Sequence, residues 1–225
     1  MLKRIFFDFG GCLDAPGIHT RTLFWDAFLA EGLVSEDART EFQEAYTLAD
    51  QKMMASGEAA PMGLAQFNRH NALLIAEKAG LSIPGSATAG DRVTALMSRY
   101  LKESREALEE FRGKYELAVI SNFTGNLELI MKEFGLSDFF TSITESYYAG
   151  ASKPDPRIFQ AALAKHSHRP EECMYVGDNP VNDIAPAKKL GMKTALIHPA
   201  GKRRDCGANF YVEDLRALFA VIQSR

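Results

Sequence analysis

The residues of this chain that could do chemistry stand where apolar runs end. Asp8 follows Ile5-Phe6-Phe7 and opens the turn Phe9-Gly10-Gly11. Aspartate is rarely buried without a partner, so a carboxylate leaving a buried strand for a glycine-rich turn is poorly explained by packing and suits a nucleophile. A second acid two residues later, the usual proton-transfer partner, is replaced by Gly10. Ser121-Asn122 closes a second apolar run, the segment Gly150 to Asp155 contains Lys153, and Asp178 closes a third, with Asp183 five residues on. Each has a plainer reading when taken singly. Asp178-Asn179 is a common strand-end Asx turn, Ser121-Asn122 can cap a helix, and Lys153 can be a solvated loop residue.

The elements that must position these groups are legible from periodicity. Short apolar runs typical of buried parallel strands lie at Arg4 to Asp8, Leu117 to Ile120, Met174 to Gly177 and Thr194 to Ile197, with weaker ones at Ser142 to Glu145 and Asn209 to Val212. Helical stripes alternate with them. Leu127, Ile130, Met131 and Phe134 form one, stopped by Gly135, and Asp155-Pro156 opens another as N-cap and first-turn proline. This alternation implies an α/β fold, a Rossmann-like doubly wound parallel sheet. In such sheets ligands bind at the carboxyl ends of the strands, where all four polar segments fall.

Residues 16–109 have a different texture. No strand-like run occurs, and stripes at Phe24/Phe28, Phe42/Ala45/Tyr46/Ala49/Met53, Leu64/Phe67 and Val93/Leu96/Met97/Tyr100 predict four helices. Gly32, Gly57 and Gly80 punctuate them, and Ser56-Gly57 and Pro84-Gly85-Ser86 read as loops. The expected organisation is a catalytic core of 1–15 and 110–225 with an inserted all-helical cap domain of 16–109.

Composition sets the outer bounds. The 225 residues are 46% hydrophobic and 24% charged, as in an ordinary globular protein. A formal net charge of -3 and the lack of a basic face argue against nucleic acid or anionic membrane as partner; the one basic run, Lys202-Arg203-Arg204, reads as a solvated loop. Three separated cysteines, Cys12, Cys173 and Cys206, indicate neither a disulfide framework nor a zinc site. With no signal-peptide pattern and no membrane-length apolar run, a reducing cytoplasm is the expected compartment. His166 and His168 have no third ligand nearby and read as solvated surface.

In order, Asp8-Phe-Gly-Gly-Cys-Leu13, Val119-Ile-Ser-Asn122, Lys153-Pro-Asp-Pro156 and Val176-Gly-Asp-Asn-Pro-Val-Asn-Asp183 resemble the motifs of the haloacid dehalogenase-like hydrolase superfamily, and within it the capped phosphatases. The resemblance covers both parts of the core, whereas the cap resembles the family in position and helical character only. It implies that Asp8 attacks the phosphorus of a phosphate monoester to form an aspartyl-phosphate. Ser121 and Asn122 would donate to the phosphoryl oxygens, and Lys153 would neutralise charge. Asp8, the Gly10 carbonyl and Asp178 would hold Mg²⁺, while Asp183 orients Lys153 or a water on the metal. The partner implied is a small phosphorylated metabolite, acted on by a monomer or homodimer.

The departures from the family pattern define the alternatives. Gly10 cannot move a proton, a role typically worth ~10²–10⁴ in rate. A substrate with an easy leaving group would tolerate that loss, and Asp14 or His19 are the nearby groups that could substitute. A phosphonatase would instead need a cap lysine, for which Lys52 and Lys78 are candidates. A dehalogenase lacks the second acid but leaves Asp178 unexplained, and a decayed metabolite-binding protein needs no nucleophile. Cys12 stands where Thr or Val is usual and reads as a small packed residue. His19, Arg21 and Trp25, at the entry to the cap, are candidate contacts to the leaving group.

Overall fold

In the computed structural model, residues 1–202 and 205–224 are described. Six parallel strands, β1 (Arg4–Phe7), β2 (Glu116–Ser121), β3 (Phe140–Glu145), β4 (Cys173–Gly177), β5 (Lys193–Ile197) and β6 (Phe210–Val212), form one sheet in the order β3-β2-β1-β4-β5-β6. All six runs expected from the sequence are strands. The central three, β1, β2 and β4, are buried along nearly their whole length, as parallel strands covered on both faces must be.

Alternation along each strand divides the apolar side chains between the two faces. Ile5, Phe7, Leu117, Val119, Met174 and Val176 join one cluster. Phe6, Ala118, Ile120, Cys173 and Tyr175 join the other, against Ile158, Phe159 and Ala162 of α7 (Pro156–Leu163). Asp155 caps α7, its side chain accepting from the Arg157 amide, with Pro156 in the first turn.

Four helices lie between β1 and β2: α1 (Thr20–Ala30), α2 (Arg39–Ser56), α3 (Leu64–Ala79) and α4 (Ile83–Leu108). Gly57 and Gly80 end α2 and α3 in the left-handed conformation. The expected loop Pro84-Gly85-Ser86 is instead the first turn of α4. A proline is tolerated there because the amide it lacks has no intrahelical partner.

The helical layer shares its apolar cluster with one face of the sheet. Polar contacts add to the attachment: Ser104 donates to the Leu13 carbonyl at 2.8 Å, Asn126 donates to the Met62 carbonyl at 2.9 Å, and the Leu64 amide donates to Glu133 at 3.0 Å. Among the described residues, no helix is long and apolar enough to cross a membrane. The run Lys202-Arg203-Arg204 lies partly outside the described residues.

His166 and His168 are not solvated surface. Both imidazoles approach the buried Arg4 guanidinium, at 3.2 and 3.3 Å, which Thr141 and Glu116 also contact. Burial, then the charge of Arg4, lowers the His166 pKa to about 4. The sequence pattern missed this cluster because Arg4 sits on a strand face that reaches the helix end carrying both histidines.

Phe111 is fully buried where the chain returns from α4, its ring 6.0 Å from Phe7 and 5.0 Å from Phe219. Phe111→Ala is expected to lower unfolding free energy by ~3–5 kcal/mol, the cost of emptying such a site, as read from urea denaturation.

Candidate active site

Strand register brings the polar segments together. Phe7 lies level with Val119 of β2 and Val176 of β4, so the chain emerges from three adjacent strands at Asp8, Ser121 and Asp178 at nearly one height. Asp8 Oδ1 accepts from the Ser121 hydroxyl and the Phe9 amide, both at 2.7 Å. Asp8 Oδ2 pairs with Lys153 Nζ at 2.8 Å. The same ammonium reaches Asp183 Oδ1 at 2.7 Å and the Tyr175 hydroxyl at 3.0 Å, and Tyr175 donates onward to the Ile120 carbonyl at 2.8 Å. Asp183 Oδ2 accepts from the Asn179 amide at 3.0 Å, so both its oxygens are engaged.

Charge at this site does not balance. Asp8, Asp178 and Asp183 present carboxylate oxygens within 4.8 Å of one another, against the single ammonium of Lys153. Burial alone disfavours that ammonium, but Asp183 and Asp8 offset the penalty and hold its pKa above the ordinary lysine value. Burial, together with Asp183 and Asp8, pushes the Asp178 carboxyl well up. Asp183 is raised to about 6 by burial, a rise that Lys153 limits. Two carboxylates in excess of one lysine make a site whose missing charge a divalent cation matches. Gly11 fits the same picture: at φ +71 it lies so close to the Asp178 carboxylate that no β-carbon could fit between them.

A family model described as haloacid dehalogenase-like hydrolase matches residues 2–191. The chain belongs to this family. The Rhythmically expressed gene 2 protein of Drosophila melanogaster is 40% identical over 88 residues, 38% of this chain and 34% of that protein. Ribulose-1,5-bisphosphate 5-phosphatase of Halopiger xanaduensis is 33% identical over 126 residues, 52% of each. The chain thus spans from about a third to about half the length of these curated relatives. The HAD hydrolase YfnB of Bacillus subtilis, solved with magnesium, shares the fold at a TM-score of 0.61 and 17% identity over 98% of both chains.

In this family member Asp8, Gly10, Ser121, Asn122, Lys153, Asp178 and Asp183 all line one cavity, as does His19. Asn122 is placed differently from the expectation that its side chain donates to phosphate. Its Nδ2 donates to the Lys153 carbonyl at 2.9 Å and its Oδ1 accepts from the Lys153 amide at 2.7 Å. The side chain therefore clamps the backbone that carries the lysine. Arg21 and Trp25 do not line the cavity. Trp25 is buried 5.2 Å from the Phe42 ring, since the period of α1 turns it toward the other helices.

Lys52 and Lys78, the lysines considered for covalent chemistry, also lie elsewhere, both paired with Glu77. Cys12 is buried with its thiol directed at the Val176 carbonyl, 3.7 Å away, and burial drives its pKa well up. It is a core residue. Periodicity missed Tyr175, because a tyrosine inside a buried strand run reads as core, and also the cavity-lining Thr20, Tyr46, Asp50 and Asn71, which sit on helices with no motif.

Asp14, one of the two groups considered as a substitute acid, is fully buried. One oxygen accepts from the Gly11 amide at 2.6 Å; the other has no hydrogen-bond partner among the described residues, the nearby Thr20 hydroxyl not completing one. Burial raises its pKa to about 8, with Asp8 adding to the shift. The folded protein therefore binds a proton that the unfolded chain, with an ordinary Asp pKa of 3.8, has released. Stability falls as pH rises from about 4 to about 8 through this group. Asp14→Asn is expected to flatten that part of the Tm-against-pH curve, measured by thermal melts across the range.

Proposed function

We propose that this hydrolase is a phosphatase acting on a small phosphorylated metabolite through transfer of the phosphoryl group to Asp8. The observation that carries the reading is the setting of Asp8, held by Ser121 and Lys153 with carboxylate oxygens of Asp178 and Asp183 within 4.8 Å. Relatives named as phosphatases, including the Halopiger protein, support it. Two donors pin Asp8 Oδ1, and Oδ2, which Lys153 approaches, keeps a lone pair for attack. Its bond to phosphorus forms as the bond from phosphorus to the substrate oxygen breaks. Lys153 faces the charge that develops on the phosphoryl oxygens and is kept charged by Asp183. Water then attacks the phosphorus of the aspartyl-phosphate, releasing inorganic phosphate and restoring Asp8.

Asp8, the Gly10 carbonyl and Asp178 are the groups that would hold Mg²⁺. When bound, it neutralises phosphoryl oxygens and supplies the positive charge that the acidic cluster lacks. The helices of 16–109 act as a cap that excludes water, and residues 1–15 and 110–225 as the catalytic core. The phosphonatase alternative loses support because neither candidate lysine lines the cavity.

Gly10 leaves the departing oxygen without the usual acid. A β-carbon built there would meet only the Thr20 hydroxyl, at 3.6 Å, which is ordinary contact. Hydrolysis of p-nitrophenyl phosphate, whose leaving group needs no acid, is expected to require Asp8. Asp8→Asn or excess chelator should abolish it, and turnover surviving both would overturn the reading. Gly10→Asp is expected to raise kcat for alkyl phosphates by ~10-fold or more relative to p-nitrophenyl phosphate, within the range general acids supply. Steady-state kinetics on both esters check this.

A further inference from the structure

The cavity above Asp8, about 210 Å³, has a second wall that phosphoryl transfer does not use. It is built by the helices: His19 and Thr20 at the start of α1, Tyr46 and Asp50 one turn apart on α2, and Phe67 and Asn71 one turn apart on α3. Asn71 is 3% exposed, and its side-chain carbonyl has no hydrogen-bond partner among the described residues. A buried amide oxygen left in that state is destabilising. Asn71 also lines the cavity, and its side-chain oxygen lacks a donor among the described residues.

Its neighbours on the wall mix donors with acceptors. Asp50 lines the cavity and is exposed there, and desolvation by the surrounding side chains raises its carboxyl pKa. His19 Nδ1 accepts from the Arg21 amide at 3.1 Å, so the neutral ring carries its hydrogen on Nε2. Burial, reinforced by Arg21, lowers the His19 pKa and favours that neutral ring. Tyr46 and Thr20 add hydroxyls. A wall that both donates and accepts matches hydroxyl groups, which do the same, better than an ammonium, which only donates.

Among the described lining residues Lys153 is the only Lys or Arg, and Asp8 and Asp183 already engage it. A substrate carboxylate or second phosphate would meet Asp50, with no further Lys or Arg among the described lining residues to receive it.

We propose that the leaving group is a small, uncharged, hydroxylated chain, a polyol or hydroxy-carbonyl compound, bound through its hydroxyls by Asn71, Asp50, Tyr46 and His19. This rests on the phosphatase reading and names its substrate class. The test compares kcat/KM of the full chain with Mg²⁺ for glycerol 3-phosphate, glyceraldehyde 3-phosphate and erythrose 4-phosphate against phosphoglycolate, phosphoserine and phosphoethanolamine, with p-nitrophenyl phosphate as reference. At least one of the three uncharged hydroxylated esters is expected to exceed every charged one by ~10-fold or more, the scale of one unpaired buried polar group. Asn71→Leu and Asp50→Asn should each lower the ratio of that ester to p-nitrophenyl phosphate by ~10-fold. Asp50→Lys should raise phosphoglycolate hydrolysis relative to the hydroxylated ester.

Preference for phosphoglycolate or phosphoserine overturns the proposal, as does preference for phosphoethanolamine or ratios unmoved in both Asn71→Leu and Asp50→Asn. If Asn71→Leu fails to fold, the wild-type profile and the two Asp50 variants decide. Turnover of p-nitrophenyl phosphate with the wrong preference removes this proposal alone. No turnover of any ester removes the phosphatase reading and this proposal with it.

Discussion

Excess negative charge at the carboxyl edge of the sheet is the constraint to which the surrounding structure answers. Asp8, Asp178 and Asp183 crowd one place with only Lys153 to offset them. Buried charges persist only when paired and hydrogen-bonded. The neighbourhood is arranged accordingly. Tyr175 gives its hydroxyl to the lysine, the Asn179 amide serves Asp183, and Ser121 and the Phe9 amide serve Asp8. Asp178 remains without comparable support, and its carboxyl is pushed well up by burial and by the other two acids.

The same constraint explains why residues far apart in sequence are tied through the backbone. Lys153 has to be delivered into the site from a loop, and Asn122 holds that loop by bonding both the amide and the carbonyl of the lysine itself. A single side chain at the end of β2 thus sets the position of the one cation. The helical layer continues this enclosure. It shares the apolar cluster of one sheet face, and Ser104 and Asn126 bond across to it.

The two adjacent glycines Gly10 and Gly11 have different physical grounds. Gly11 is dictated by geometry, since its positive φ and the Asp178 carboxylate beside it exclude any side chain. Gly10 is not: a β-carbon there has room, and its φ lies outside the left-handed region. The absent acid is therefore no by-product of packing, and it leaves open space next to Thr20 on the side where the leaving group would depart.

Much of this protein is determined by local patterns that act over a few residues. Short apolar runs specify the strands, the 3.6-residue stripes specify α1 to α4, and Asp155-Pro156 specifies the start of the helix Pro156–Leu163, because each depends on neighbours within one turn or one pleat. Asp8 and Asp178 were legible for a related reason, since charged groups at the ends of apolar runs contradict packing, and Lys153 was legible through its motif beside theirs. Tertiary structure alone decided what depends on distant partners. It joined His166 and His168 to Arg4, tied the Asn122 side chain to the Lys153 backbone, buried Asp14 and Trp25, and placed Asp50 and Asn71 on the cavity wall. Periodicity says which side of a helix is apolar, but what its polar residues face is set by how whole elements dock, through contacts with no fixed spacing along the chain.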